Sequence, residues 1–291
     1  MTVGSPLAAT QIEISRLWDL DSTAELLGRG FVQQSLIAIA LLGLLGGILG
    51  PLIIARQMSF AVHGVSELSV TGAAAALLLG VSINVGGVIG AVIVAAVFGF
   101  MGNRARERDS VIGVVMAFGL GLGVLFLSLY GSARTGFAML TGQVVSVGTG
   151  GLTAIAITTV VVVAGMAVIY RPLLFASLDP RVALAHGVPI RTLSVVFAVL
   201  MGLACAQGVQ IIGALLVMSL MITPAAAAAR LTANPTRVLV LSVVFAEVAS
   251  VGGLIVSLAP GLPVSVFVTT ISFVIYVICR WIGHRRQFVT R

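Results

Sequence analysis

Charged residues are scarce in this sequence, and lysine is missing altogether. Only 9% of the 291 residues are charged, whereas 59% are hydrophobic and the mean hydropathy is +1.19. A soluble globular domain usually carries roughly 25% charged residues. The chain has too little polar surface to cover a soluble globule, so its composition predicts a polytopic membrane protein.

Cysteine is also rare, and no cleavable signal peptide is expected. Cys205 and Cys279 are the only two cysteines, which excludes a disulfide framework, and we interpret both as small buried hydrophobic residues. Residues 1–30 lack a basic start followed by an apolar segment, so insertion must be driven by the first spanning helix.

Catalytic and nucleotide-binding motifs are lacking as well. The sequence contains no Walker motif, no G-x-G-x-x-G fingerprint, no catalytic triad and no Cys/His zinc spacing. The chain therefore has no visible means of hydrolysing ATP. We predict a non-catalytic membrane protein that binds no cofactor of its own.

Long apolar runs are what the sequence has in abundance. About 20 residues at a rise of 1.5 Å per residue cover the hydrocarbon core of a membrane. Nine runs approach or exceed this length, with a very short break predicted at 206–210: 31–55, 61–80, 84–102, 110–130, 149–170, 190–207, 209–230, 237–257 and 263–281. We predict an all-α polytopic fold with about nine transmembrane helices over 31–283, an extracytoplasmic or interfacial segment at 1–30, and a basic cytosolic tail at 284–291.

The arginines predict the orientation of these spans. Cytosolic loops of membrane proteins carry an excess of positive charge. With the N-terminus outside and the C-terminus inside, only Arg16, Arg29 and Arg134 lie outside. The other thirteen of the sixteen arginines lie inside, in every cytosolic loop and in the tail.

Two segments do not fit plain spanning helices. Residues 136–148 are semi-apolar and too short to span, which favours a re-entrant or interfacial piece on the outside. Residues 172–189 form the longest predicted cytosolic loop. Within it Asp179 can cap a helix with Pro180 at its first position, and Gly187 can end that helix. A short capped helix is therefore expected on the cytosolic surface.

A histidine and a glutamate share one face of the second predicted span. His63 and Glu67 are four residues apart, one above the other on a helix. A charged side chain at membrane depth costs about 2.5 kcal/mol or more unless it is paired or faces a wet cavity. The pair is interpreted as part of a transport path, or as a hydrogen-bonded pair that stabilises the start of this helix.

Two further residues inside the spans can likewise be interpreted as functional or as structural. Glu247 lies in the middle of the eighth span, where it either lines a path or pairs with polar groups or water. Pro224 can kink the seventh span, although prolines are common in membrane helices. The G-x-x-x-G spacings at 46/50, 86/90 and 119/123 receive little weight, because 34 glycines make such matches common by chance.

Three blocks of the sequence resemble the permease subunits of the ABC importers for zinc, manganese and iron, the ABC-3 family. The blocks are Arg-Gln-Met-Ser-Phe at 56–60 with the polar turn around Ser66 and Gly72, Leu-Asp-Pro to Ala-His-Gly at 178–187, and Ile-Gly-Ala to Thr-Pro-Ala-Ala at 212–226. In that family the second-helix motif usually reads Gly-Asp-Ala-x-Ser-His. Here positions 62–67 read Val-His-Gly-Val-Ser-Glu, so the imidazole and the carboxylate have exchanged places.

The resemblance implies a division of labour. This chain would form the path as a homodimer in the bacterial plasma membrane, separate cytosolic ATPases would supply energy, and an extracytoplasmic binding protein would deliver the metal. No nucleic-acid partner is expected, and the lipid bilayer is the remaining expected partner. The resemblance places His63 and Glu67 as metal ligands and leaves zinc, manganese and iron open. The predicted path residues are His63, Ser66, Glu67, Pro224 and Glu247, and the predicted ATPase-coupling residues are Asp179, Pro180, Ala185 and Gly187.

Other classes of membrane protein stay open at this point. The nearest is an ABC permease for an iron chelate or vitamin, although such chains usually have ten spans. An ion-coupled secondary transporter would use Glu67 and Glu247 as carriers, but no inverted repeat with matched broken helices is visible. A membrane scaffold that transports nothing is the third.

Overall fold

The computed structural model describes residues 25–101, 105–130, 148–260 and 262–289, and these residues form a bundle of helices. Ten helices follow one another in this part of the chain: α1 Gly30–Ala55, α2 Ser59–Leu78, α3 Ile83–Phe100, α4 Ala105–Tyr130, α5 Thr149–Leu178, α6 Pro180–Ala185, α7 Ile190–Ile212, α8 Ala214–Leu231, α9 Pro235–Leu258 and α10 Val264–Val289.

The predicted all-α polytopic fold is confirmed. Eight of the described helices are long and apolar enough to cross a membrane, and α8 contributes a shorter apolar helix over Leu216–Leu231. Each of the nine predicted spans corresponds to one helix, with most ends shifted by a few residues. The predicted orientation of the chain, with the N-terminus outside and the C-terminus in the cytosol, stays a prediction. The predicted re-entrant piece at 136–148 and most of the segment at 1–30 lie outside the described residues.

The predicted break between the sixth and seventh spans was placed too early. The sequence suggested 206–210 because two glutamines interrupt the apolar run, but α7 continues to Ile212 and the chain turns at Gly213, whose φ is +89°. Both glutamines are accommodated in the helix. Gln207 is buried, and Gln210 Nε2 donates to the Asn84 carbonyl on α3 at 3.3 Å. A left-handed φ is accessible to glycine at little cost, which explains why the turn lies at Gly213.

The predicted cytosolic loop at 172–189 is shorter than expected. Tyr170-Arg171-Pro172 looked like the end of a span, yet α5 continues through Pro172 to Leu178. The short helix α6 then begins after a single residue, Asp179. The predicted capped helix is confirmed, and most of the supposed loop before it is the end of α5.

The helices form two connected groups. One contains α2, α3, α4 and α7, and the other contains α1, α8, α9 and α10, while α5 packs against both α1 and α7. Most residues in the apolar stretches of α1, α2 and α7 are buried. In α3, α4, α5, α9 and α10 only a minority of them are buried. This distribution suits a bundle whose outer helices meet lipid or another membrane subunit.

All three G-x-x-x-G spacings lie at helix crossings, so the low weight given to them was wrong. A Cβ built on Gly46 would lie 2.9 Å from the Leu220 carbonyl oxygen of α8, and one on Gly90 would lie 2.9 Å from the Gly72 Cα of α2. A Cβ on Gly123 would lie 2.9 Å from Thr71 Oγ1. Small residues let membrane helices approach this closely.

Candidate functional site

His63 and Glu67 lie on the single open stripe of α2. Between residues 60 and 75, most positions of this helix are fully buried against its neighbours. The exceptions recur at helical spacing and therefore form one stripe: Phe60, His63, Glu67, Thr71, Gly72 and Ala75. At Thr71 and Gly72 the stripe contacts α4 and α3. Around His63 and Glu67 it stays partly exposed among the described residues.

His63 and Glu67 contact each other directly, and one carboxylate oxygen of Glu67 takes no part in this contact. His63 Nε2 lies 3.2 Å from Glu67 Oε1, and the two side chains are 28% and 14% exposed. Glu67 Oε2 is shielded from solvent and has no hydrogen-bond partner among the described residues. An unsatisfied buried acceptor costs about 1–3 kcal/mol, so a cation bound at this oxygen would relieve that cost.

Two hydroxyl groups fix the rotation of α2 about its axis. Ser69 Oγ donates to the Gly87 carbonyl of α3, and Thr71 Oγ1 donates to the Gly119 carbonyl of α4, both at 3.0 Å. Interhelical hydrogen bonds of this kind are typical of membrane bundles. They attach α3 and α4 to α2 and so fix the direction in which His63 and Glu67 point.

Ser66 lies on a different side of α2 from the pair. Its hydroxyl donates to the Val62 carbonyl at 2.8 Å and also contacts the Cys205 thiol of α7. Cys205 Sγ in turn lies 3.7 Å from Met221 Sδ of α8. All three side chains are buried, so the structure places Ser66 in the packing between α2, α7 and α8, behind the open stripe.

Glu247 and Pro224 lie in other interfaces. The Glu247 carboxyl carbon is 3.3 Å from the position of a Cβ built on Gly43, which puts this half-buried acid at the crossing of α9 with α1. Pro224 is buried inside α8 and supplies no N–H to the Leu220 carbonyl, which lies against Gly46. The structure therefore brings His63 and Glu67 together and leaves Glu247 in the second helix group.

The residues predicted to couple to an ATPase form the compact helix α6. Asp179 Oδ1 accepts hydrogen bonds from the backbone N–H groups of Arg181 and Val182, both at 3.1 Å. Pro180 occupies the first turn, and Gly187 follows the helix with φ +75°. The N-cap, the proline and the left-handed glycine are therefore all used as the sequence predicted.

One side of α6 is anchored and the other is apolar and exposed. Ala183 is fully buried against Ala176 and Ile190, which ties α6 to the end of α5 and the start of α7. Leu178 and Leu184 are 69% and 62% exposed. Ala185 is exposed as well. Exposed apolar side chains such as Leu178 and Leu184 are suited to bind in a groove on another protein.

Arg56 is a residue whose role the sequence did not reveal. It follows α1 directly, and its guanidinium donates to Ser177 Oγ at 3.3 Å and to Ser194 Oγ. These serines flank α6, on α5 and α7. The contact joins positions more than a hundred residues apart in the chain, so no local pattern could have found it; the only signal was that Arg56 opens the first family block.

Comparison with known proteins decides the family. The family model described as "ABC 3 transport family" matches residues 29–283, which is most of the chain. The chain belongs to the ABC 3 transport family. The resemblance read from the three sequence blocks is thereby confirmed.

Relatives within the ABC 3 transport family carry names of metal transport systems. The manganese transport system membrane protein MntC of Listeria innocua is 29% identical over 252 residues, which cover 85% of this chain and 90% of the relative. The high-affinity zinc uptake system membrane protein ZnuB of Haemophilus influenzae is 25% identical over 225 residues, covering 77% and 86%. Together with the apolar helices, these relatives confirm a multi-pass protein of the bacterial plasma membrane.

A solved structure shares the fold. PsaBC from Streptococcus pneumoniae in complex with Fab matches with a TM-score of 0.79 at 24% identity, covering 89% of this chain and 94% of that chain. The likeness establishes that the helices of this ABC 3 protein are arranged as in that structure.

Proposed function

We propose that this chain is the path-forming permease subunit of an ATP-driven importer of divalent metal cations, with manganese or zinc as cargo. The observation that carries the proposal is the contact of His63 with Glu67 on the open stripe of α2, with Glu67 Oε2 left unsatisfied. Imidazole nitrogen and carboxylate oxygen are ligands that zinc accepts and manganese tolerates. The names of the relatives support the same two metals.

The pair by itself is an incomplete metal site, and this supports a homodimer. Within the described residues, no group of three or more His, Cys, Asp or Glu side chains converges. One chain therefore offers one nitrogen and one oxygen ligand. A second copy facing the open stripe of α2 would bring a second pair and raise the set to four ligands. Such a set binds a cation that is losing its hydration shell and still releases it.

The helix α6 supplies the surface for the energy-providing subunit. The exposed Leu184 of α6 and the exposed Leu178 at the end of α5 lie beside the polar N-cap and the anchor at Ala183. In the proposed importer a cytosolic ATPase receives this helix and moves it as a rigid body, since Ala183 ties the helix to the end of α5 and the start of α7. A separate extracytoplasmic protein delivers the metal to the opposite face.

The test is the metal content of cells that depend on this transporter. Metal-depleted cells express the permease together with its ATPase and binding protein. The permease is either wild type or the double variant His63→Ala/Glu67→Ala, and cellular zinc, manganese and iron are measured by elemental mass spectrometry. We expect the double variant to lose accumulation of one metal while the others stay constant. Asp109→Ala, which removes an exposed acid from the start of α4, is the matched control.

An exchange variant separates metal binding from mere structural support. His63→Asp/Glu67→His keeps one carboxylate and one imidazole at the same spacing and restores the order that is usual in the family. We expect it to recover much of the uptake that the alanine variant loses. The proposal is wrong if the alanine variant is present in the membrane at normal abundance and every metal still accumulates normally.

A further inference from the structure

A pocket between the ends of α8 and α10 has no part in the proposed metal path. It encloses about 510 Å³ and is lined by Arg230, Val277, Arg280, Trp281, Gly283 and His284. We call it the α8–α10 pocket. Both helices end here at the face that the arginine distribution assigns to the cytosol, where a membrane protein meets the headgroups of the inner leaflet.

Two positive charges converge in the α8–α10 pocket. Arg280 Nη1 donates to the Tyr276 hydroxyl at 3.5 Å, and the Arg230 side chain lies beside the same hydroxyl. Within the described part of the chain, no carboxylate lies within 4.0 Å of either guanidinium. Two like charges sharing one neutral oxygen repel each other, so a bound anion would stabilise the arrangement.

The pocket is built into the crossing of the two helices. A Cβ added to Gly283 would lie 2.5 Å from the Arg230 carbonyl oxygen and 3.6 Å from the Arg230 Cβ, so the backbones meet closely at this point. On the outer side the Arg285 guanidinium stacks over the Trp281 ring, with its Cζ 3.9 Å from the centroid. The close crossing and the cation–π contact hold the positive groups together before any ligand binds.

The surroundings of the pocket indicate that its anion belongs to a lipid. Next to the arginines, α10 exposes an apolar strip in which Val274, Val277, Ile278 and Trp281 are 47%, 46%, 51% and 57% exposed. An acyl chain can lie along such a strip, and tryptophan is enriched at the level of the headgroups. A free phosphate-bearing solute would use the arginines and leave the strip without a role.

We propose that the α8–α10 pocket binds the phosphate headgroup of an anionic phospholipid from the inner leaflet. Arg230 and Arg280 contact the phosphate, since guanidinium groups match phosphate oxygens in pairs. Trp281 and the apolar strip contact the glycerol and the acyl chains. The site lies in the helix group that does not contain His63 and Glu67, so it is independent of the metal that is carried.

The position of Trp281 makes the proposal directly measurable. The chain has two tryptophans, so Trp18→Phe leaves Trp281 as the sole fluorescent reporter in the pocket. This protein is reconstituted at full length into vesicles containing brominated phosphatidylglycerol or brominated phosphatidylcholine, whose bromine atoms quench nearby indole rings. We expect phosphatidylglycerol to be preferred at Trp281 by about thirtyfold, because each of the two arginines is attracted to an anionic headgroup.

Variants test whether the preference for phosphatidylglycerol comes from the pocket or from the overall positive charge of the protein. Arg230→Gln/Arg280→Gln is expected to abolish the preference, whereas Arg230→Lys/Arg280→Lys retains part of it. Arg237→Gln, at an exposed arginine in the first turn of α9, is the matched control and should keep the full preference. Helix content by circular dichroism confirms that each variant is folded.

Three results would overturn the proposal. Equal quenching by the two lipids in the wild-type chain would show that there is no anionic site. An equal loss in the control and in the pocket variants would show attraction by diffuse charge. Removal of the preference by millimolar inorganic phosphate would identify the ligand as a free anion.

Discussion

Arg56 shows how one side chain can connect distant parts of the bundle. Its guanidinium donates to Ser177 on α5 and Ser194 on α7, which flank α6, while its own backbone leads through a short turn into α2. Seven residues after Arg56 comes His63. A displacement of α6 therefore has a polar link to the start of the helix that carries the candidate metal ligands.

Replacement of Arg56 is expected to uncouple transport from ATP hydrolysis. The change is Arg56→Ala in the complete transporter, reconstituted with its ATPase and binding protein. Hydrogen bonds to a charged group are worth about 1.5–3 kcal/mol, so their loss is expected to lower metal uptake by on the order of tenfold. ATP hydrolysis in the same vesicles should fall far less, because α6 and the exposed side chains of Leu178 and Leu184 are unchanged.

The serine partners provide the control for this prediction. Ser177→Ala/Ser194→Ala removes both acceptors and leaves the arginine in place, and it should reproduce the uncoupling. Uptake and hydrolysis that fall in parallel in either variant would instead indicate that Arg56 only supports the fold. Wild-type uptake in both variants would contradict any role of this contact.

At the scale of helices, close crossings decide the architecture more than the apolar runs do. Gly72 of α2 lies against Gly86 and Gly90 of α3, and Gly46 and Gly50 of α1 lie against α8. Apolar association gives little driving force between helices in lipid, so close van der Waals packing has to supply it. The orientation of α2, and with it the open stripe, depends on these contacts.

Gly72→Ala is expected to destabilise the bundle at the crossing of α2 and α3. The added Cβ would lie 2.9 Å from the Gly90 Cα and closer still to the Gly86 carbonyl oxygen, and both are backbone atoms that cannot rotate away. Overpacking of this kind costs about 1–3 kcal/mol. The measurement is the midpoint of thermal unfolding of the purified chain in detergent, which should fall.

A glycine without neighbours gives the matched control. A Cβ on Gly113 of α4 would meet nothing within 4 Å, so Gly113→Ala should leave the midpoint unchanged or raise it, because alanine favours helix more than glycine does. Equal effects of the two substitutions would mean that the crossing at Gly72 is looser than the structure shows.

Features that depend on local sequence could be predicted, whereas features that depend on contacts between helices could not. The long helices follow from local hydropathy, and α6 follows from the local chemistry of Asp179, Pro180 and Gly187. The turn at Gly213 was misplaced because Gln210 looked like a break, whereas its amide is satisfied by α3. The extension of α5 was missed because Pro172 was interpreted as an end.

Long-range contacts were beyond the sequence for a physical reason. The pairing of His63 with Glu67 is local and follows from helical spacing, so it was predicted correctly. The links of Arg56 to Ser194 and of Arg230 to Tyr276 depend on which helices become neighbours, and no local pattern encodes that choice. The role of the closely packed glycines likewise emerges only when their partners are known.

At the scale of the whole molecule, the ends of the helices alternate between two faces of the bundle. The end of α1 meets the end of α5 and the start of α7 through Arg56, and the end of α8 meets α10 at Gly283. The predicted orientation assigns these ends, together with α6, to the cytosol. Three proposals depend on that assignment: the direction in which the metal is transported, the docking of an ATPase on α6, and the binding of a lipid in the α8–α10 pocket.

Cysteine accessibility tests the orientation in intact cells. The native Cys205 and Cys279 are 0% and 4% exposed, so they should give little background with a membrane-impermeant maleimide. Val81→Cys places a thiol in the connection between α2 and α3, at a residue that is 50% exposed, and Leu184→Cys places one on α6, at a residue that is 62% exposed. We expect Val81→Cys to react in intact cells and Leu184→Cys to react only after the cells are permeabilised. The reverse pattern would put α6 outside, where no ATP-driven subunit could reach it, and would exclude the coupling proposed for this helix.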